Sequence, residues 1–448
     1  MIHNIHRIWL GWLLLATAPL LAQVGNSADQ TGAAGSANAE DRMLTPPPVS
    51  GEAYPVSFAS ETRANFLRGG LAFSTAYDDN ALGATTGHPV SDVNYSVWPT
   101  IAFDQTLPRF HWVLSYAPGF TFYQRTSARN EADHNLALEL EYRLSPHVTV
   151  NLHDVFQKSS SVFNAPDQGA GGAVSGSPQA PNDSVVAPTA DRISNRANTG
   201  ITYQFSASSM VGVSGTFINL YYPNPAEVPG LYDSVSRGGS AFYSFRVSAK
   251  HYVGGTYQYQ QLLAYPPEGR NETQTQGAFL FYTVYPQPRV SLSIFGGPQY
   301  SRTLLSPLPA LGEWSPAGGA SLGWQGRHTS LAVSYTRLVI GGSGIGAVRF
   351  NGATASIRQQ LTRNLSASLA GGYASNEILG GVSGVGSSGH TVSGSASLQR
   401  QIGEHVNLQA GYTRLHQRYN SVQVLAAAPD TNREWISLSY QFSRPLGR

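Results

Sequence analysis

The sequence predicts an all-β fold, a transmembrane antiparallel up-and-down β-barrel of about 18 strands, with 16 as the alternative count. Three observations predict it. From about Leu67 to the end of the chain, apolar and polar residues alternate in segment after segment, the period of a strand that meets an apolar phase on one face and a polar one on the other. The connections between these segments are short and long by turns. Charged residues make up 12% of the chain and aromatics 11%, with 23 Tyr, where soluble domains carry about 25% charged residues.

Composition removes several function classes. A net charge of +2 gives no electrostatic case for nucleic acid as a partner. With no cysteine, a disulfide scaffold, a zinc–thiolate site and a cysteine nucleophile are excluded.

The N-terminus, "MIHNIHRIWLGWLLLATAPLLAQ", has Arg7 ahead of an apolar run from Ile8 and small residues near Ala22, the layout of a secretory signal peptide cut after Ala22. Gly11, Thr17 and Pro19 interrupt the run, which is short of the ~20 apolar residues a spanning helix needs. Residues 1–22 are therefore expected to be a signal peptide. Residues 23–66, rich in Ala, Gly, Ser, Asn and Pro, are expected to form a flexible periplasmic segment, because they hold too few periodic apolar residues to pack. Residues 67–448 are expected to form the barrel.

Within that region the clearest strands are "LALELEYRL" (136–144), "VTVNLHD" (148–154), "VSLSIFG" (290–296), "VNLQAGY" (406–412) and "ISLSYQF" (436–442). Each is about the length that crosses a bilayer when tilted. Tight connections such as "LSPH" (144–147), "SASS" (206–209) and "IGEH" (402–405) alternate with long ones such as the run from Ser159 to Asn195, "YPNPAEVPGLYDSVSRGG" (222–239), "LLSPLPALGEW" (304–314) and "GGSGIG" (341–346). In an antiparallel meander, alternate connections lie at opposite ends. Short turns on one side and long loops on the other are a membrane-barrel asymmetry, and a Greek-key sandwich has no reason to sort loops by parity.

The terminal strand places Ile436, Leu438, Tyr440 and Phe442 on one face and Ser437, Ser439 and Gln441 on the other. This strand resembles the C-terminal signal strand of bacterial (Gram-negative) outer-membrane β-barrel proteins, porin-like in architecture. The resemblance covers residues 67–443 and identifies a class, not a subfamily. It implies a place in the cell outer membrane, contact with outer-membrane lipid, and Ile436, Leu438, Tyr440 and Phe442 as the signal read by the barrel-assembly machinery.

Few motifs could carry chemistry. "GVGSSG" (384–389) matches G-x-G-x-x-G but lies in a loop between antiparallel strands, where a dinucleotide site needs a strand, a helix and a parallel sheet. His153 and Asp154 are adjacent on a strand and so point to opposite faces, which rules them out as base and orienting acid. No metal-ligand spacing stands out among the 12 His. No cofactor and no enzymatic activity are expected.

What remains is the lumen, because a barrel of ~18 strands is too wide for its own side chains to fill. Alternation places Asp104, Glu139, Glu141, Arg143, Arg246, Arg289 and Arg358 inward, either as hydrated lumen residues or as a field acting on solutes. It also places Trp98, Phe242, Tyr252, Phe279 and Phe281 inward, available to stack on sugar rings or to pack against an inward loop. The expected function is a water-filled channel for passive diffusion of small hydrophilic solutes. The alternatives are an outer-membrane component of a polysaccharide-export system and a structural or adhesion barrel. The loop 159–195 is solvated by its composition, yet its position resembles the third loop of general porins, which would bring Asp167, Asp183 and Asp191 toward the lumen arginines.

Overall fold

The computed structural model describes residue 43 and residues 65–446, apart from 82–88, 162–188, 226–229, 268, 288, 306–309, 343–345, 380–387 and 420–429. Eighteen strands follow one another: β1 (Phe66–Asp78), β2 (Asp92–Thr106), β3 (Phe110–Tyr123), β4 (Glu131–Arg143), β5 (Val148–Ser161), β6 (Thr189–Ser206), β7 (Ser209–Tyr221), β8 (Ser234–Ser248) and β9 (His251–Ala264). The second half holds β10 (Asn271–Gln287), β11 (Val290–Leu305), β12 (Leu311–Gln325), β13 (Thr329–Gly342), β14 (Gly346–Thr362), β15 (Leu365–Ile378), β16 (Ser388–Ile402), β17 (Val406–Tyr419) and β18 (Asp430–Pro445). Each strand pairs with its sequence neighbours, and β1 pairs antiparallel with β18. The sheet is therefore closed and has no free edge. Closure is what permits strands in hydrocarbon, since every ladder group must be satisfied within the protein.

Period two dictates the faces. Leu71, Phe73 and Tyr77 on β1, Phe120 and Phe122 on β3 and Leu280 on β10 (75% exposed) all point outward. They form part of a continuous apolar outer surface with tyrosines toward its margins, as lipid contact requires. The inner face is rich in hydroxyls that pair across strands: Ser96 with Thr121 (2.9 Å), Thr283 with Ser293 (2.8 Å) and Ser368 with Ser397 (2.6 Å). His153 and Asp154 do separate. His153 meets Glu139 inside (3.5 Å), whereas Asp154 faces outward opposite Leu138 and accepts a hydrogen bond from Asn195 (3.0 Å).

The eight turns at the end where β1 begins and β18 finishes, such as 207–208, 249–250 and 363–364, are short, and Gly403 (φ 74°) supplies the left-handed residue of 403–405. The nine connections at the other end are more uneven than expected. The strands run further into the loops than composition suggests, so "GGSGIG" shrinks to three connecting residues between Gly342 and Gly346. Asp191 belongs to β6, and Asp167 and Asp183 lie outside the described residues.

That short connection matters because its hairpin leaves the wall. The β12–β13 ladder covers only Gly318–Gln325 against Ser330–Arg337. Beyond it, Val339 has the parity of outward-facing Val333 and Tyr335 but is 2% exposed. The side chain of Gln299, on the inner face of β11, replaces the lost ladder partner. It accepts from Val339 N (2.8 Å) and donates to Val339 O (3.3 Å). The outer ends of β13 and β14 thus tuck under β11 and β12. Arg349 fastens them, pairing with Glu313 on β12 and with Glu377 on β15 (2.5 Å).

Candidate functional site

The lumen is the candidate site, and its wall is built by a repeated local device. Large inward rings lie flat over glycines on the adjacent strand. A Cβ added at Gly212 would fall 2.3 Å from the Phe242 ring, at Gly119 2.3 Å from Trp98, and at Gly254 2.5 Å from Phe281. Phe279 covers Gly277 of its own strand and meets Phe295 edge-on at 6.0 Å. The glycine-rich composition has its reason here: an aromatic laid on glycine covers the bare backbone and keeps the lumen from being filled by standing rings. Trp98, Phe242, Tyr252, Phe279 and Phe281 are inward and buried, and Trp98, Phe242, Phe279 and Phe281 lie against glycines of the wall itself.

The charged residues predicted to line the lumen fall into local groups. Asp104 accepts from Arg68 (3.0 Å) and lies against His111 (3.2 Å) at the short-turn end of β1–β3. Arg143 pairs with Glu141 (2.8 Å), and Glu139 with His153. Arg246 is inward on β8, sharing the face of Phe242 and Ser244. Arg358 differs in having neutral described partners: it donates to Ser366 Oγ (3.2 Å) and Gln399 Oε1 (3.1 Å). Arg289 is a correction. It sits exposed in the turn between β10 and β11, where alternation has ended and its side chain is no longer held to the inner face.

Sequence reasoning missed what narrows the other half. Leu220, Tyr222 and Leu231, at the β7–β8 connection, pack with Val348 of β14 and Tyr419 of β17, backed by Ile340, Phe350 and Ile378. Strands β7 and β14 are seven positions apart in a ring of 18, so this apolar cluster spans the lumen. Leu262 of β9 also reaches the bent hairpin, where a Cβ added at Gly341 would lie 3.2 Å from its Cδ1. The described constriction is therefore made by the fourth external connection and the β13–β14 hairpin. The one signal for it in the sequence is an excess of apolar residues on both faces of "TRLVIGG". A further buried group, Arg433 with Asp78 (3.2 Å) and Asn94 (3.4 Å), stands at the β1–β18 seam.

Ile436, Tyr440 and Phe442 of the terminal strand are exposed on the outer face. Leu438 shares that face, opposite Phe73, but is covered to 7% exposure.

No protein-family model matches the chain, and no curated protein matches it. Among solved structures it is similar to OccAB4 of Acinetobacter baumannii, with 8% identity over 86% of this chain and 99% of that one and a TM-score of 0.45. It is similar to OpdK of Pseudomonas aeruginosa, solved with vanillate, with 9% identity over 84% and 99% and a TM-score of 0.43. It is also similar to the FrpB iron transporter (F5-1 variant) of Neisseria meningitidis, with 11% identity over 85% and 69% and a TM-score of 0.45. The chain spans 66% of the F3-3 variant of FrpB. At this level of similarity none of them assigns a substrate. The closed ladder and the apolar outer surface stand on this chain's own geometry, and they make it a closed transmembrane β-barrel of 18 strands.

Proposed function

We propose that the barrel is a channel for passive diffusion of small hydrophilic solutes. The observation that supports this reading is the inner face, where hydroxyls and paired charges on β1–β5 and β14–β16 offer hydrogen-bonding sites along a path through the bilayer. Such a lining replaces a solute's hydration without binding it tightly, which diffusion requires. Arg358, whose described partners are neutral, is the inner cation most able to favour anions.

The test is single-channel conductance in a planar bilayer, with the reversal potential measured across a salt gradient. The native channel should conduct in discrete steps, and Arg358→Glu should shift its selectivity toward cations. Absence of any conductance from correctly folded barrel would end the channel reading.

A further inference from the structure

Residue 43 lies far from the barrel in sequence and inside it in space. Its side chain is 4% exposed and packs with Met210 of β7, Phe242 of β8, Tyr252 of β9, and Phe281 and Tyr285 of β10. All five face inward; Met210, Tyr252 and Tyr285 stand within two residues of their strand ends at the short turns, and Phe242 and Phe281 lie six residues from the ends of their strands. The rings of Phe242 and Phe281 are held down on Gly212 and Gly254, and Tyr252 meets Tyr285 edge-on at 5.8 Å. A shallow apolar recess is left between these rings, in a wall that also carries hydroxyls and charges. The backbone N–H of Met43 donates to Gln204 Oε1 at 3.1 Å, and Gln204 is the register partner of Met210 on β6.

We propose that this recess is a docking site for the chain's own N-terminal segment, with Met43 as its anchor. The chemistry is specific on two counts. An unbranched thioether adapts to a recess rimmed by rings and gains from sulfur–aromatic contact. The amide of Gln204 fixes the backbone that presents it. The tether is long enough, because the 21 residues between Met43 and Asn65 can span roughly 70 Å, about twice the width of an 18-strand barrel with strands ~4.8 Å apart and tilted ~40°. Strand β1 begins at Phe66, seven strands round the ring from β8, so docking ties the N-terminal segment to two walls of the short-turn end. Met43 lies beyond the expected signal peptide, so export would leave the anchor in place.

The test uses the full chain. It has no native cysteine, so Met43→Cys with Met210→Cys introduces the only two thiols. A short bismaleimide should join them severalfold more efficiently than in Met43→Cys with Ser368→Cys, whose second thiol is on the inner face of β15 across the lumen. Equal yields from the two pairs would overturn the proposal. Trypsin supplies a readout that leaves Met43 untouched, because the nitrogen of the Arg42–Met43 bond is the amide held by Gln204. Tyr252→Ala with Phe281→Ala should be cut there severalfold faster than the native chain while still migrating as a folded barrel on an unheated gel. Equal cleavage rates would also overturn it, and the cross-linking comparison decides alone if that variant does not fold.

Discussion

Replacing Arg433 with methionine removes the cation from the seam where the last strand closes on the first. The guanidinium is 1% exposed and the Asp78 carboxylate 5%, and the two are register partners across β1 and β18. The variant loses the contacts to Asp78 Oδ2 (3.2 Å) and Asn94 Oδ1 (3.4 Å), while Asp78 keeps the hydrogen bond from Asn94 Nδ2 (3.0 Å). Asp78 then carries a buried charge beside Asp92, its register partner on β2, with no other ion pair to a cation among the described residues. Breaking a buried ion pair on one side costs about 3–5 kcal/mol. The retained Asn94 contact, a hydrogen bond to a charged group worth about 1.5–3 kcal/mol, keeps the expected loss near the lower end, about 3 kcal/mol. The assay is urea unfolding in lipid vesicles followed by tryptophan fluorescence, with the slope against urea checked for constancy. Adding Asp78→Asn removes the stranded charge and should restore most of the loss. A single variant within about 1 kcal/mol of the native protein, or a double variant no better than the single, would refute the electrostatic reasoning.

Leu138→Arg and Leu438→Arg, both on the outer face, should each cost about 2–4 kcal/mol in the same assay if they lie near the bilayer midplane, and inward-facing Ser439→Arg should cost much less. Equal damage at Leu438 and Ser439 would reverse the assignment of faces. Asp154→Leu should raise stability by about 1 kcal/mol, because a carboxylate at the height of Leu138 faces lipid, and a loss would mean that its bond to Asn195 outweighs that cost. Gln299→Leu takes away the side chain that satisfies Val339. The β13–β14 hairpin should loosen and single-channel conductance should rise, whereas unchanged conductance would remove the hairpin from the constriction.

Alternation in "LALELEYRL" and "ISLSYQF" was enough to read strands, faces and a lipid-facing side, because a period of two is a property of a few consecutive residues. The number of strands followed from counting those segments, and closure from the need to leave no edge in lipid. Glu139, Glu141, Arg143 and Arg358 could be placed inward for the same local reason, and Arg289 could not, because parity carries no information once the chain turns. What only the tertiary structure decided is which residues meet across the ring. Leu220 and Tyr419, Gln299 and Val339, and Met43 and Phe281 are far apart in sequence, and no periodicity links them. Their contacts arise where the β13–β14 hairpin leaves its ladder and where Met43 is buried against the inner face. Those two departures are set by packing against distant strands, where local sequence has no vote.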